Sequence, residues 1–238
     1  MQTIKAVLFD SGRVLNKPIT GHWFITPNFW RFVDKATFDC LDNKKIYDAF
    51  KEADNYIITE KLITTKEREY TCFVKFYQIF SDCLPELNLN EEIVAKIAED
   101  LVYNTQKYSF YEDALKIIPE LHKTHKLAIV SDAWPSLVDV YDANNLTNYF
   151  ETMVISSFMG ALKPDPQMYL TALENLKINA NEAVFVDDSL KNCLGAQAVG
   201  IKSVLLCRDK KQYYLNKIKS LGKGYNVIQN LSMLKKLL

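Results

Sequence analysis

Apolar runs with the length of β-strands recur along the second half of the chain, and segments with helical spacing separate them. The runs cover residues 126–131, 152–156, 183–187 and 202–207. Their apolar character is continuous instead of alternating, which is typical of parallel strands that are covered on both faces. The intervening segments predict helices over residues 111–124, 135–144, 166–176 and 190–199. This alternation predicts a doubly wound, Rossmann-like α/β sheet.

Polar side chains stand at the ends of three predicted strands. An early apolar run, Val7-Leu8-Phe9, leads into Asp10, and two later runs end in Ser131 and in the pair Asp187-Asp188. Ligands of open α/β sheets bind beyond the carboxyl ends of the strands. We therefore expect these groups to meet at one ligand site, together with Lys163 from the turn Lys163-Pro164-Asp165-Pro166.

Residues 17–108 follow a different pattern, because they contain few glycines and no convincing buried strand. Hydroxyl groups at Thr64-Thr65 precede apolar and aromatic residues at close to helical spacing, and Asn90 opens a second helical pattern that runs to about Tyr103. We predict that residues 17–108 form an all-helical cap domain inserted after the first strand. Residues 1–16 and 109–238 are then the α/β core domain.

The composition of the chain argues against nucleic-acid and membrane partners. Basic and acidic residues each number 29, so the formal net charge is zero and nothing indicates a nucleic-acid binder. The five cysteines form no CxxC pair, which favours reduced thiols. No signal-peptide pattern and no apolar run of membrane-spanning length occurs, so we expect a cytoplasmic protein with no membrane partner. Neither a GxGxxG nor a P-loop pattern follows Gly12.

Four motifs occur in a fixed order: Asp10-Ser11-Gly12, Ser131, Lys163, and the segment from Asp187 to Asn192. In this order they resemble the motifs of the haloacid dehalogenase superfamily of phosphatases and related hydrolases, with a helical cap between the first and second motifs. The resemblance implies that Asp10 is the nucleophile and that Ser131 and Lys163 act on phosphate. It also implies that the backbone carbonyl of Gly12 is a metal ligand.

Each of these residue types has a physical role in phosphoryl transfer. Attack of Asp10 on phosphorus forms an aspartyl-phosphate, but two anionic groups repel one another. Mg²⁺ held by Asp10 and Asp188, with help from Asp187, removes that repulsion. Ser131 can donate to a phosphate oxygen, and Lys163 adds fixed positive charge.

The remaining candidates are supporting groups. Ser11, Gly12 and Asp132 are expected to line the phosphate site, although a loop-capping role competes at Asp132. Asn192 is expected to orient the fourth motif or a metal-bound water. Arg13 is a candidate contact for an anionic substrate, with a solvated surface role as the default.

Gly12 is a departure from the pattern of the superfamily. Phosphomonoesterases of this superfamily usually carry a second Asp two positions after the nucleophile, and no other carboxylate occurs here before Asp34. That missing group is a general acid–base, a role that contributes roughly 10²–10⁴-fold to rate. Slow turnover on ordinary esters follows, unless another group such as His22 substitutes. An isolated histidine more often serves packing.

Three functional hypotheses remain open. The first is a Mg²⁺-dependent phosphatase that acts on a small phosphorylated metabolite, with a sugar phosphate as one option. The second is a 2-haloacid dehalogenase, which needs no metal and tolerates a non-acidic residue at position 12. The third is a phosphate-binding or regulatory protein that has lost turnover. Because one fold supports many functions, the fold alone cannot rank them.

Overall fold

The computed structural model describes residues 3–238. The described residues form eight β-strands, which are β1 (Ala6–Phe9), β2 (Asn16–Pro18), β3 (Tyr108–Phe110), β4 (Lys126–Ser131), β5 (Thr152–Ile155), β6 (Ala183–Asp187), β7 (Lys202–Leu206) and β8 (Asn226–Ile228). Six of them form one sheet in the order β5-β4-β1-β6-β7-β8, and β2 pairs with β3 in a separate two-stranded sheet.

All neighbouring strands of the six-stranded sheet are parallel. β1 lies between β4 and β6, with Phe9 opposite Ile129 on one side and Val186 on the other. The carboxyl ends of these three strands therefore meet at one edge of the sheet. The predicted doubly wound α/β fold is confirmed, and the strand order explains why polar groups distant in sequence can share a site.

The α-helices are α1 (Phe29–Phe32), α2 (Lys35–Cys40), α3 (Asn43–Ile57), α4 (Lys66–Cys83), α5 (Glu91–Tyr103), α6 (Glu112–His122), α7 (Leu137–Ala143), α8 (Ser156–Met159), α9 (Pro166–Leu176), α10 (Leu190–Ala198) and α11 (Lys210–Lys219). Five short 3-10 segments accompany them in the part of the chain that the structure describes. No helix among residues 3–238 has the length and apolarity needed to cross a membrane.

Helix α9 shows how sequence sets an element next to the expected site. Asp165 caps its start by accepting a hydrogen bond from the Gln167 backbone N–H, and Pro166 takes the first helical position. The helix ends where Lys177 adopts a left-handed conformation. Its buried face includes Met168, Tyr169, Ala172, Leu173 and Leu176, whose larger side chains each contribute about 1.5–3 kcal/mol by burial against the sheet.

The contacts divide the chain into two compact units. The first, which we call the core unit, contains the chain up to Lys17, Phe110–Ala133 and Tyr141–Leu238. The second, which we call the helical unit, contains Pro18–Ser109 and Trp134–Val140. The short segment Trp134–Val140 follows β4 in sequence and groups with the helical unit, a feature that the sequence pattern does not reveal.

The helical unit has its own apolar centre, where α4 packs with α3 and α5. Phe73, Phe76 and Phe80 of α4 are fully buried there. The expected helix starts are present, because Thr65 accepts a hydrogen bond from the Arg68 N–H and Asn90 accepts one from the Ile93 N–H. Both caps satisfy backbone groups that would otherwise lack a partner.

A buried polar network also lies inside the helical unit. Glu69 accepts hydrogen bonds from the backbone N–H and the hydroxyl of Ser136. Lys107, only 5% exposed, donates to Ser136 Oγ at 2.6 Å and to the Leu101 carbonyl at 2.7 Å. These bonds attach the segment that contains Ser136 to α4 and to the chain that follows α5. Burial lowers the pKa of Lys107 to about 8, against the opposing effect of Glu69.

Candidate active site

Asp10 follows β1 at the carboxyl edge of the sheet. Its backbone N–H donates to the Val186 carbonyl at 2.9 Å, which continues the pairing with β6 beyond the strand. Carboxylate oxygen Oδ1 accepts one hydrogen bond from Ser131 Oγ at 3.0 Å and another from Lys163 Nζ at 2.7 Å. Both donors bind the same oxygen, so Oδ2 carries no donor from the described residues. In Asp10, Oδ1 is therefore hydrogen-bonded, and Oδ2 is available to a ligand.

The loop after Asp10 is closed by hydrogen bonds within the core unit. The Ser11 carbonyl accepts from the backbone N–H groups of Leu15 and Asn16. The Ser11 hydroxyl contacts Asn16 Nδ2 at 2.7 Å and Tyr141 Oη at 2.9 Å. This hydroxyl is therefore engaged by Asn16 and Tyr141, and the expected contact between Ser11 and phosphate stays a prediction. Gly12 lies inside the loop and bridges to Asn16.

Lys163 connects the first and fourth motifs. Its Nζ lies 2.7 Å from Asp10 Oδ1 and 2.8 Å from Asp187 Oδ2, and its side chain is only 1% exposed. Burial alone would lower the pKa of Lys163, but the charges of Asp10, Asp187 and Asp132 outweigh it and raise the pKa above its usual value. The ammonium group therefore remains charged between the two carboxylates.

Asp132 and Asn192 serve the neighbouring loops. Asp132 Oδ1 accepts a hydrogen bond from the Lys163 backbone N–H at 2.9 Å, which is the loop-capping role considered from the sequence. Asn192 Nδ2 donates to Asp187 Oδ2 at 3.1 Å. The Ser189 backbone N–H donates to the other oxygen of Asp187 at 2.7 Å. Asn192 thus orients the fourth motif, and both oxygens of Asp187 already have donors.

Three carboxylates converge beside these donors. Asp10, Asp187 and Asp188 each place one oxygen so that the three atoms lie within 4.8 Å of one another. Burial raises the pKa of Asp187 and Asp188, and repulsion from Asp10 adds to both shifts. The cations beside these three acids are the buried Lys163 and Arg13, whose Nη1 lies 3.9 Å from Asp188 Oδ2. Carboxylate oxygens are hard ligands of the kind that a small divalent cation such as Mg²⁺ prefers. The three acids therefore fit such a cation.

His22 lies in the helical unit, where its ring has structural contacts. Its Nδ1 accepts a hydrogen bond from the Phe24 backbone N–H at 3.2 Å, and its ring centre lies 4.5 Å from that of Phe50. Burial lowers the pKa of His22. These contacts match the packing role that is usual for an isolated histidine.

Two groups near the site are not identifiable from the sequence motifs. Arg208 donates to the carbonyl oxygens of Arg13 and Val14, in the loop after Asp10. Gly195 of α10 lies so close to the turn after Lys163 that a Cβ there would be 2.5 Å from Pro164 Cβ. The position of Arg208 just after β7 is a usable signal, because the other polar site residues also follow strand ends.

The chain is similar in sequence to curated phosphatases over part of its length. The chain is 28% identical over 114 residues to the glyceraldehyde 3-phosphate phosphatase of Pyrococcus abyssi, over 44% of this chain and 46% of that protein. It is 26% identical over 134 residues to the phosphoserine phosphatase of Thermus thermophilus, over 55% of this chain and 54% of that protein. The chain thus spans about half the length of the relatives that it matches.

A solved structure shares the fold along the whole chain. The 2-haloacid dehalogenase from Pseudomonas syringae superposes with a TM-score of 0.63 at 18% identity, and the match covers 99% of this chain and 98% of the other. At this level of identity the likeness concerns the fold alone.

The family model described as haloacid dehalogenase-like hydrolase matches residues 42–206. This range contains Ser131, Lys163 and the Asp187-Asp188 pair, and it begins after Asp10. The resemblance inferred from the four motifs is confirmed, because the match covers well over half of the sequence. The chain belongs to the haloacid dehalogenase-like hydrolase family.

Proposed function

We propose that this chain is a Mg²⁺-dependent phosphatase that hydrolyses a small phosphorylated metabolite through an aspartyl-phosphate on Asp10. The observation that carries the proposal is the set of contacts around Asp10. Ser131 and Lys163 hold Oδ1, while the acids of the fourth motif lie on the same edge of the sheet. Phosphatases among the relatives support the same reaction class.

In the first step, Asp10 Oδ2 attacks phosphorus and the bond between phosphorus and the ester oxygen breaks. The electron pair of that bond leaves with the alcohol oxygen, which takes a proton from water. Ser131 donates a hydrogen bond and Lys163 supplies positive charge next to the phosphoryl oxygens, where negative charge develops. Both donors are already in place beside Asp10, so little reorganisation is needed when the substrate binds.

In the second step, water attacks phosphorus of the aspartyl-phosphate and releases inorganic phosphate, which restores the Asp10 carboxylate. A general base normally assists this step, and Gly12 offers no side chain for it. Because general acid–base help contributes roughly 10²–10⁴-fold, we expect slow turnover with poor leaving groups and faster turnover with activated esters. Asp132, held by the Lys163 backbone, serves the loop and does not replace the base.

Asp10, Asp188 and the Gly12 carbonyl are the groups proposed to hold Mg²⁺. Asp187 assists by fixing Lys163 and the start of α10, since its oxygens accept bonds from Lys163, Asn192 and Ser189. When bound, Mg²⁺ would offset the repulsion between the Asp10 carboxylate and an anionic phosphoryl group. A cytoplasmic location belongs to the same proposal and is supported by the five cysteines, which are all free.

A second candidate is 2-haloacid dehalogenase activity, which Gly12 favours because that reaction does not use an acid at this position. In it, Asp10 attacks carbon and displaces halide, and the resulting ester is hydrolysed. The clustering of Asp10, Asp187 and Asp188 supports the phosphatase instead, since these acids could hold a cation and halide displacement from carbon needs none. Phosphate binding without turnover is the third outcome of the same assays.

The test is phosphate release from a panel of phosphorylated metabolites, with p-nitrophenyl phosphate as the activated ester, in the presence and absence of Mg²⁺. We expect Mg²⁺-dependent release by the parent and no release by Asp10→Asn. Asp165→Asn is a matched control, because it makes the same chemical change at an exposed helix cap that Asn also satisfies. Equal activity in the parent and Asp10→Asn rejects the mechanism. Chloride release from 2-chloropropionate that chelator does not affect identifies the dehalogenase.

A further inference from the structure

We propose that Arg13 selects substrates that carry a second anionic group, a carboxylate or another phosphate, in addition to the phosphoryl group that is hydrolysed. This inference rests on the proposed phosphatase function and narrows its substrate class. Three observations support the inference: the backbone conformation of Arg13, the position of its guanidinium group, and the enclosure of Lys163 between Asp10 and Asp187.

The backbone of Arg13 adopts a left-handed conformation, with φ of 60°. This region favours glycine, because a side chain there crowds the backbone. Two hydrogen bonds hold the loop in this shape: the Arg13 N–H donates to the Asn16 carbonyl at 2.7 Å, and Arg208 donates to the Arg13 carbonyl at 3.1 Å. A long charged side chain at such a position, three residues after the candidate nucleophile, indicates a functional use of that side chain.

The guanidinium group of Arg13 lies beside the acidic cluster and is largely free. Its Nη1 is 3.9 Å from Asp188 Oδ2, which is a loose ion pair, and 67% of the side chain is exposed. The acid that it faces shares the cluster with Asp10. Because a guanidinium carries five N–H donors in a planar fork, most of them remain available to a ligand anion that binds next to the cluster.

Lys163, the buried cation of the site, is not available to a second anionic group. Lys163 is enclosed between Asp10 and Asp187, and its role is confined to the reacting phosphoryl group. Lys191 is a further exposed cation, and its charge acts on Asp132. It is a point charge on a flexible stem, whereas Arg13 offers paired donors that match the two oxygens of a carboxylate. Lys191 therefore provides a control of equal charge.

The test uses two substrates, 3-phosphoglycerate and glycerol 3-phosphate, which differ in that the first has a carboxylate where the second has a hydroxymethyl group. We expect the parent protein with Mg²⁺ to favour 3-phosphoglycerate in kcat/KM. Arg13→Gln is expected to reduce that preference about tenfold, the loss typical of one charged hydrogen-bonded contact, and Arg13→Lys to retain part of it. Lys191→Gln removes the same charge and is expected to leave the preference intact. Fructose 1,6-bisphosphate against fructose 6-phosphate distinguishes a second phosphate from a carboxylate.

Arg13→Gly separates specificity from folding. Glycine relieves the left-handed backbone, so its melting temperature is expected to equal or exceed that of the parent while the preference for 3-phosphoglycerate falls. An unchanged preference in both Arg13→Gln and Arg13→Gly overturns the inference, as does an equal loss in Lys191→Gln.

A failure of the proposed phosphatase function can be told apart from a failure of the inference about Arg13. If the parent hydrolyses neither compound, calorimetric binding of 3-phosphoglycerate and glycerol 3-phosphate to the Mg²⁺-loaded Asp10→Asn protein decides the question. A binding preference that depends on Arg13 supports the inference without turnover. No preference, or a preference that Arg13→Gln preserves, rejects it.

Discussion

Arg208 donates to both carboxylate oxygens of Asp113, at 3.1 and 3.0 Å. The same guanidinium lies 3.6 Å from the centre of the Tyr111 ring. It also donates to the carbonyls of Arg13 and Val14, so it fastens the loop after Asp10 to α6. Asp113 in turn accepts a bond from the Leu231 N–H, which ties the C-terminal segment to the same point.

Arg208→Lys is expected to destabilise the protein by about 1–3 kcal/mol, because a lysine cannot stack on Tyr111 and bind two carboxylate oxygens and two carbonyls together. Urea denaturation measures the loss. Arg31→Lys makes the same change at an exposed position of the helical unit and is expected to have no effect. If both variants have the same midpoint as the parent, the Arg208 contacts do not stabilise the loop.

Gly195→Ala is expected to destabilise the protein by about 1–3 kcal/mol, although alanine normally stabilises a helix by about 1 kcal/mol relative to glycine. The reason is the contact of an added Cβ with Pro164 Cβ at 2.5 Å and with Tyr169 Oη at 3.0 Å. Displacement of this turn also moves Lys163, so phosphate release falls with stability. Leu194→Ala, at an exposed position of the same helix, is the control. A more stable Gly195→Ala protein contradicts the proposed close packing.

Lys163→Met is expected to cost about 3–5 kcal/mol, because it leaves Asp10 and Asp187 buried without the cation that lies between them. Adding Asp187→Asn removes one of the two charges and is expected to restore part of the loss. A double-mutant cycle in urea gives the coupling energy. Strict additivity of the two changes shows that the pair does not interact.

The buried network of the helical unit predicts a pH dependence. The pKa of Lys107 is about 8 when folded, below its usual value of about 10.4 when unfolded. Between these limits the unfolded chain binds the proton more tightly, so the free energy of unfolding rises with pH, by at most about 3 kcal/mol from this group. Lys107→Met removes that rise. We therefore expect the difference in unfolding free energy between parent and variant to change between pH 8 and 10, and a constant difference contradicts the low pKa.

Three of the candidate site residues are predictable because each follows a recognisable sequence pattern. Asp10, Ser131 and Asp187 all stand where a continuous apolar run stops, and parallel strands bring such ends to one edge. Lys163 has no comparable local signal, and only its place among four ordered motifs identifies it. Its position is fixed by Asp132 and by the capped start of α9, contacts that join segments far apart in sequence.

Other features depend on contacts that leave no local pattern. The pairing of Glu69 and Ser136 joins residues that are 67 positions apart in the sequence, so neither position stands out locally. Strand β8 has only three residues, too few to show a period. Helix α11 exposes Tyr214, Leu215 and Ile218, and its apolar residues therefore do not mark a buried face.

The central place of β1 has a consequence for the newly made chain. A ribosome delivers Asp10 before any of its partners, and the strand that carries Asp187 emerges after β4 and α9. Until β6 joins the other side of β1, the nucleophile proposed here lacks the acids that would share a cation with it. The proposed hydrolysis therefore requires that β6 has emerged and paired with β1, and a nascent chain that ends before β6 lacks the full acidic cluster.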